Sequence, residues 1–155
     1  MRLELLFLGK TKEKYLATGI DDYAKRLSRY LNVQIKTLKA GKAKKGETEK
    51  FLIEEESNTL LANVQGSYLV CLDRTGAQVD SLELAAQFER WEMQGLKKIS
   101  FVIGGPLGLS ETILKKANLI LSISQMTFTH EMARLFLLEQ LYRACTIKAG
   151  EKYHK

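Results

Sequence analysis

Three stretches of the C-terminal half combine the residue types from which a ligand pocket is built. Gly104-Gly105-Pro106-Leu107-Gly108 follows an apolar run and offers backbone donors and acceptors with no side chain in the way, so a flat ligand can approach closely. The same composition also suits a tight strand-to-helix turn. Leu72-Asp73 and Ser122 to Phe128 follow two further apolar runs. If those runs are parallel strands, the three stretches meet at the carboxyl edge of one sheet, where α/β folds bind ligands. His130 and Arg134 stand four residues apart beside the third stretch, on one face of a helix. An imidazole there exchanges protons near neutral pH, and a guanidinium holds an anion. Their structural alternatives are capping with Thr129 for His130, and pairing with Glu131 or solvation for Arg134. Far upstream, Lys42, Lys44 and Lys45 sit in a loop bounded by Gly41 and Gly46, the chemistry of a polyanion contact or of a solvated surface.

Several chemistries are excluded by pattern. The glycine stretch matches neither G-x-G-x-x-G nor G-x-x-x-x-G-K-[ST], so nicotinamide and P-loop nucleotide sites lack their main support. The two histidines and two cysteines are not at zinc-ligand spacing, so no metal is expected. No G-x-S-x-G occurs, and Cys71 lies inside an apolar run, which disfavours a covalent nucleophile.

The elements that would position these residues alternate. Arg2 to Leu8 reads as a buried strand. Leu16, Ile20, Tyr23, Leu27 and Tyr30 give a helix from about Glu13 to Leu31. Val33, Ile35 and Leu38 mark a second strand, and Glu47 to Asn63 a helix. Ser67 to Leu72 reads as a strand covered on both faces, followed by a turn at Asp73-Arg74-Thr75-Gly76. Asp80 and Glu83 have capping-box spacing ahead of a helix carrying Leu84, Phe88 and Trp91. Ile99 to Ile103 is a strand, Ser110 caps a short helix, and Leu119 to Ile123 is a fifth strand. His130 to about Thr146 is a long helix before a polar tail. Strands alternating with helices predict an α/β fold with a largely parallel sheet, helices on both faces and one domain over residues 1–155.

The chain has 155 residues and a formal charge of +6. Residues 1–50 hold 13 Lys and Arg against 6 Asp and Glu, and residues 51–100 hold 4 against 8. A basic N-terminal third and a basic tail around an acidic middle suit a polyanion partner. No apolar run approaches the roughly 20 residues of a membrane span, and the N-terminus reads as a strand rather than a signal peptide. Cys71 and Cys145 read as reduced core residues, so a cytoplasmic protein is expected. The last helix is apolar nearly all round from Met132 to Cys145. Such a helix needs cover on several sides, and a homodimer is the expected source.

Taken together, Phe101 to Leu109, Met126-Thr127-Phe128-Thr129-His130-Glu131-Met132-Ala133-Arg134, Glu139 to Ala144 and Tyr153-His154 resemble the ribosomal RNA large-subunit methyltransferase H family, the pseudouridine N3-methyltransferases of the SPOUT superfamily. The resemblance spans essentially the whole chain, including Ala40-Gly41-Lys42 and Glu89-Arg90-Trp91. It implies a deep trefoil knot at the C-terminal end, a rare exception to unthreaded chains. It implies an S-adenosylmethionine site touching Leu72, Gly104, Ile123, Ser124, Gln125, Met126, Thr127 and Phe128. The implied reaction methylates N3 of a pseudouridine in 23S rRNA presented by the ribosome. For that reaction His130, Arg134, Arg143, Tyr153 and His154 are the candidate groups around the reacting base, with the proton acceptor open between them and solvent, and the charge balance of residues 1–50 puts Lys42, Lys44 and Lys45 on the RNA. The tail is expected to be mobile until RNA orders it. Competing expectations are a SPOUT enzyme acting on tRNA or a ribose 2′-hydroxyl, and a non-catalytic ribosome-binding factor.

Overall fold

The hydrophobic alternation of the first strand sets the architecture. In the computed structural model, which describes residues 1–155, β1 (Arg2–Leu8) lies between β2 (Asn32–Leu38) and β4 (Lys98–Ile103). Beyond β4 come β3 (Tyr68–Gln78) and β5 (Leu119–Ser122), giving a five-stranded, all-parallel sheet in the order β2-β1-β4-β3-β5. Leu3, Leu5 and Phe7 point to one face, and Leu6 and Leu8 to the other. The first face is covered by α1 (Lys14–Leu27), α3 (Ser81–Met93) and α5 (His130–Lys148), the second by α2 (Glu49–Ala62) and α4 (Glu111–Lys116).

Caps end the helices where side-chain chemistry dictates. Asp80 and Glu83 form the capping box, accepting from each other's backbone N–H at 2.8 and 2.7 Å. Ser110 and Thr129 cap α4 and α5. Trp91 is the centre of the larger core, with ring centroids of Phe88, Tyr68 and Phe101 at 5.2, 5.8 and 6.0 Å.

One expectation changes. Asp73-Arg74-Thr75-Gly76 is not a turn that ends β3. Leu121 of β5 pairs with both Leu72 and Ala77, so the four residues bulge outward and the strand resumes to Gln78. Their polar, turn-like composition is real but serves a bulge. The all-round apolar surface of α5 is largely accounted for within one chain. The helix lies against α1 and α3 and above β4, with Leu137, Leu138, Leu141, Ala144 and Cys145 buried. Met132, Ala133, Leu135, Phe136 and Tyr142 are only partly buried in the single chain.

Candidate functional site

The bulge of β3 after Leu72 and the carboxyl ends of β4 and β5 open together onto a cavity of about 880 Å³. Leu72, Ile103 and Gly104 supply the strand ends. The glycine turn lies on one side, and Ile123, Ser124, Met126, Thr127 and Phe128 on another. The first turn of α5 and the start of α1 complete the lining. Of the residues expected to touch a cofactor, all but one line this cavity. Gln125 instead lines a neighbouring polar recess of about 610 Å³ with Arg74, Thr75, Gly76 and Gln78.

The glycine stretch is a tight turn, and it borders the cavity. Gly108 N–H donates to the Gly105 carbonyl at 3.0 Å, with Pro106 second in the turn and Gly108 at φ +87°. A Cβ on Gly104 would stand 2.7 Å from the Gly108 carbonyl carbon and oxygen. A side chain there displaces the turn as well as crowding the cavity. The third strand end is braced locally: Ser122 Oγ donates to the Ser124 carbonyl, and Met126 N–H donates to Ser124 Oγ, both at 3.0 Å. Tyr15, Met126 and Phe128 leave large apolar surfaces exposed around the opening.

His130 lines the cavity and is half-buried. Burial, with the charges of Arg134 and Lys12, holds its pKa below the ordinary histidine value despite Glu131. The imidazole is therefore neutral at neutral pH. Glu131 accepts from the backbone N–H of Lys12 at 2.6 Å and of Glu13 at 3.1 Å, pinning α5 to the approach of α1. Burial works against its charge, but those two N–H groups hold its carboxyl below the usual range.

Arg134 is neither solvated nor paired with Glu131. It is fully buried, donating to the carbonyls of Leu8 at 2.8 Å and Gly9 at 3.1 Å and to Thr11 Oγ1 at 3.0 Å, with its cation 4.8 Å from the Phe7 ring centroid. It clamps the carboxyl end of β1 to α5 and does not line the cavity. Its charge suggested solvent, yet Arg134, Leu138, Leu141 and Cys145 share one helical stripe, which was the available signal.

Arg143, Tyr153 and His154 gather at the opposite end of α5. Arg143 pairs with Glu139, stacks 4.8 Å from the Tyr153 centroid, and lies 3.5 Å from His154 Nδ1. Tyr153 donates to Glu139 at 3.0 Å, meets Tyr23 Oη at 3.1 Å and packs edge-on to Tyr142. Burial, then the bonds to Tyr23 and Glu139, push its phenol pKa well up. The tail lies on α1 and α5, where its aromatic ring meets a tyrosine-lined surface. From His130 to Arg143 the helix rises about 20 Å, so cavity and tail cluster do not meet within one chain.

Lys42, Lys44 and Lys45 are fully exposed between β2 and α2. Sequence reasoning missed Glu56, a buried carboxylate behind this loop. The signal was its place on the stripe Leu52, Glu56, Leu60, where the other acids of the run face water.

A family model described as a predicted SPOUT methyltransferase matches residues 1–154. The ribosomal RNA large subunit methyltransferase H of Desulfotalea psychrophila is 51% identical over 156 residues, covering 100% of both chains. That of Syntrophobacter fumaroxidans is 43% identical over 157 residues, again covering 100% of each. Among solved structures, a probable methyltransferase from Bordetella pertussis superposes with a TM-score of 0.54 at 13% identity, covering 93% of this chain and 95% of that one. The tRNA (m1G37) methyltransferase from Aquifex aeolicus gives 0.51 at 14% identity, covering 92% and 69%. At such identities these two speak for the fold alone. With a full-length family match and close relatives along its entire length, the chain belongs to the SPOUT methyltransferase family, in its ribosomal RNA large subunit methyltransferase H branch.

Proposed function

We propose that this chain is an S-adenosylmethionine-dependent methyltransferase that methylates N3 of a pseudouridine in 23S rRNA on the assembled ribosome, as a cytoplasmic homodimer of one knotted SPOUT domain over residues 1–155. The observation that carries the reading is the cavity where the β3 bulge meets the ends of β4 and β5, in a chain 51% identical to a ribosomal RNA large subunit methyltransferase H. The residues fit the cofactor. Leu72, Ile123, Met126 and Phe128 offer apolar walls for an adenine, and the glycine turn offers backbone groups. The charged lining is Glu13, Asp73 and Glu131 against Arg74, a surplus of acid that suits a sulfonium cation. When bound, the cofactor supplies an electrophilic methyl group.

The protein's own work is alignment and proton handling. N3 of the acceptor must lose its proton as the new bond forms. Neutral His130 is within the cavity lining and is suited to accept it. Arg134 acts through the wall it clamps. Arg143, Tyr153 and His154 are suited to the base and its developing anion, but they lie a helix length from their own cavity. A homodimer that sets one copy's tail cluster at the other's cavity joins the two halves. Lys42, Lys44 and Lys45 are placed on the RNA phosphates.

The test is methyl transfer to isolated large subunits and to assembled ribosomes, with nucleoside mapping. The expected product is 3-methylpseudouridine in 23S rRNA, formed on assembled ribosomes. Methylated ribose or tRNA would replace the assignment with another SPOUT specificity. Failure of the protein to bind S-adenosylmethionine in calorimetry would leave a non-catalytic ribosome-binding factor.

A further inference from the structure

Glu56 stands on the face of α2 that packs inward, in line with Leu52 and Leu60, and is only 5% exposed. Two loops far apart in sequence close on it. From one side, Gly41 N–H donates to Glu56 Oε2 at 3.3 Å. A Cβ on Gly41 would stand 2.5 Å from Leu52 Cδ1 and 3.0 Å from Glu56 Cγ. From the other side, a Cβ on Gly105 would stand 3.1 Å from Glu56 Oε2 and 3.4 Å from Oε1. The next residue repeats the grip, because Ser57 Oγ accepts from Ser110 N–H at 2.9 Å at the far end of the glycine turn. One helical turn therefore holds both the loop that carries Lys42, Lys44 and Lys45 and the turn that lines the cavity.

Fold stability does not call for an acid at this place. A single long hydrogen bond is thin compensation for a buried carboxylate, and burial accordingly pushes its pKa up. A Leu or Met would continue the apolar stripe at no such cost. What the carboxylate adds is a polar link to Gly41 in one loop and a close seat for Gly105 in the other.

We propose that Glu56 is a positioning residue that couples the basic loop to the glycine turn, so that polyanion binding on the loop and ligand binding in the cavity strengthen each other. The proposal rests on reading the cavity as the S-adenosylmethionine site and the loop as an rRNA contact. Coupling of this kind is reciprocal: whatever cofactor does to RNA affinity, RNA does to cofactor affinity.

The experiment measures binding of assembled ribosomes with and without saturating S-adenosylmethionine, and of S-adenosylmethionine alone by calorimetry. Wild-type protein is expected to bind assembled ribosomes about fivefold tighter or more with the cofactor. Glu56→Met should bring that ratio to about one and weaken cofactor binding about tenfold, with the melting temperature unchanged or raised, as for a buried acid replaced by an apolar side chain. Glu56→Gln keeps an acceptor for Gly41 N–H and should restore most of the ratio. Gly41→Ala pushes on the link from the loop side, and should weaken cofactor binding although Gly41 does not line the cavity. A wild-type ratio of one, or Glu56→Met and Gly41→Ala with wild-type cofactor affinity and ratio, overturns the coupling. If Glu56→Met fails to fold, Glu56→Gln and Gly41→Ala decide it. Wild-type protein that does not bind S-adenosylmethionine at all refutes the reading of the cavity instead.

Discussion

The two ends of α5 solve opposite problems with the same helix. At its start, Met126, Phe128 and His130 border open volume, and large apolar side chains stand uncovered. At its finish, Glu139, Tyr142, Arg143, Tyr153 and His154 consume one another, with a salt bridge, stacked rings and a shared phenolic hydrogen bond. The first end is arranged to be filled from outside. The second is already filled and presents an aromatic and cationic surface. A binding end and a presenting end some 20 Å apart on one rod must be matched between molecules for both to serve one reaction.

Removal of the tail separates the ends most sharply. Deleting Tyr153 to Lys155 should leave S-adenosylmethionine affinity within about twofold, while methyl transfer to ribosomes falls about a hundredfold or more, about 2.7 kcal/mol in the barrier. Calorimetry and single-turnover assays on the same preparation check this. Equal losses in both would join the two ends into one site and break the contrast.

A smaller effect is expected from the other end. Gly104→Ala sets a methyl group 2.7 Å from the Gly108 backbone and should shift the turn, weakening cofactor binding about tenfold, about 1.4 kcal/mol. The tail cluster should be untouched. Near-ultraviolet circular dichroism of its tyrosines, unchanged between wild type and variant, is the control.

The smallest effect is in pH. His130 has a folded pKa below its unfolded value, so the unfolded chain binds the proton first as pH falls. Stability is therefore lost as pH drops below about 6.5, and the loss levels off below the folded value. His130→Gln should remove that part of the slope, read as the difference in melting temperature between the two proteins from pH 8 to 5. If His130 accepts the N3 proton, methyl transfer should fall over the same acid range, and the variant should not show that limb. An unaltered stability slope in the variant would place the titration elsewhere.

What could be read from the sequence divides along the same line. The alternation of strands and helices, the Asp80–Glu83 box and the Ser110 and Thr129 caps are local chemistry, and they appear where residue type puts them. The cavity was legible because it is made of strand ends, whose positions follow once a parallel sheet is recognised. The tail cluster was not. Tyr23 and Tyr153 are 130 residues apart, and no periodicity marks their contact. Arg134 was misjudged and Glu56 passed over for a further reason. Charge suggests water, and only their register on apolar stripes reveals that the fold takes them inside. The bulge at Asp73–Gly76 fooled local reading because strand pairing with β5 resumes beyond it.

The place of α5 in the chain has a consequence for biogenesis. The last helix made is the one that covers Leu3, Leu5 and Phe7, which are among the first residues made. Until residues 130–148 leave the translating ribosome, one whole face of the sheet lacks its central cover. The nascent chain must then carry its apolar first strand either unpaired or exposed, the condition under which partly folded chains associate. Cover of this face thus waits until α5 has been made, and a truncated product lacking α5 should be a client for chaperones rather than a smaller stable protein.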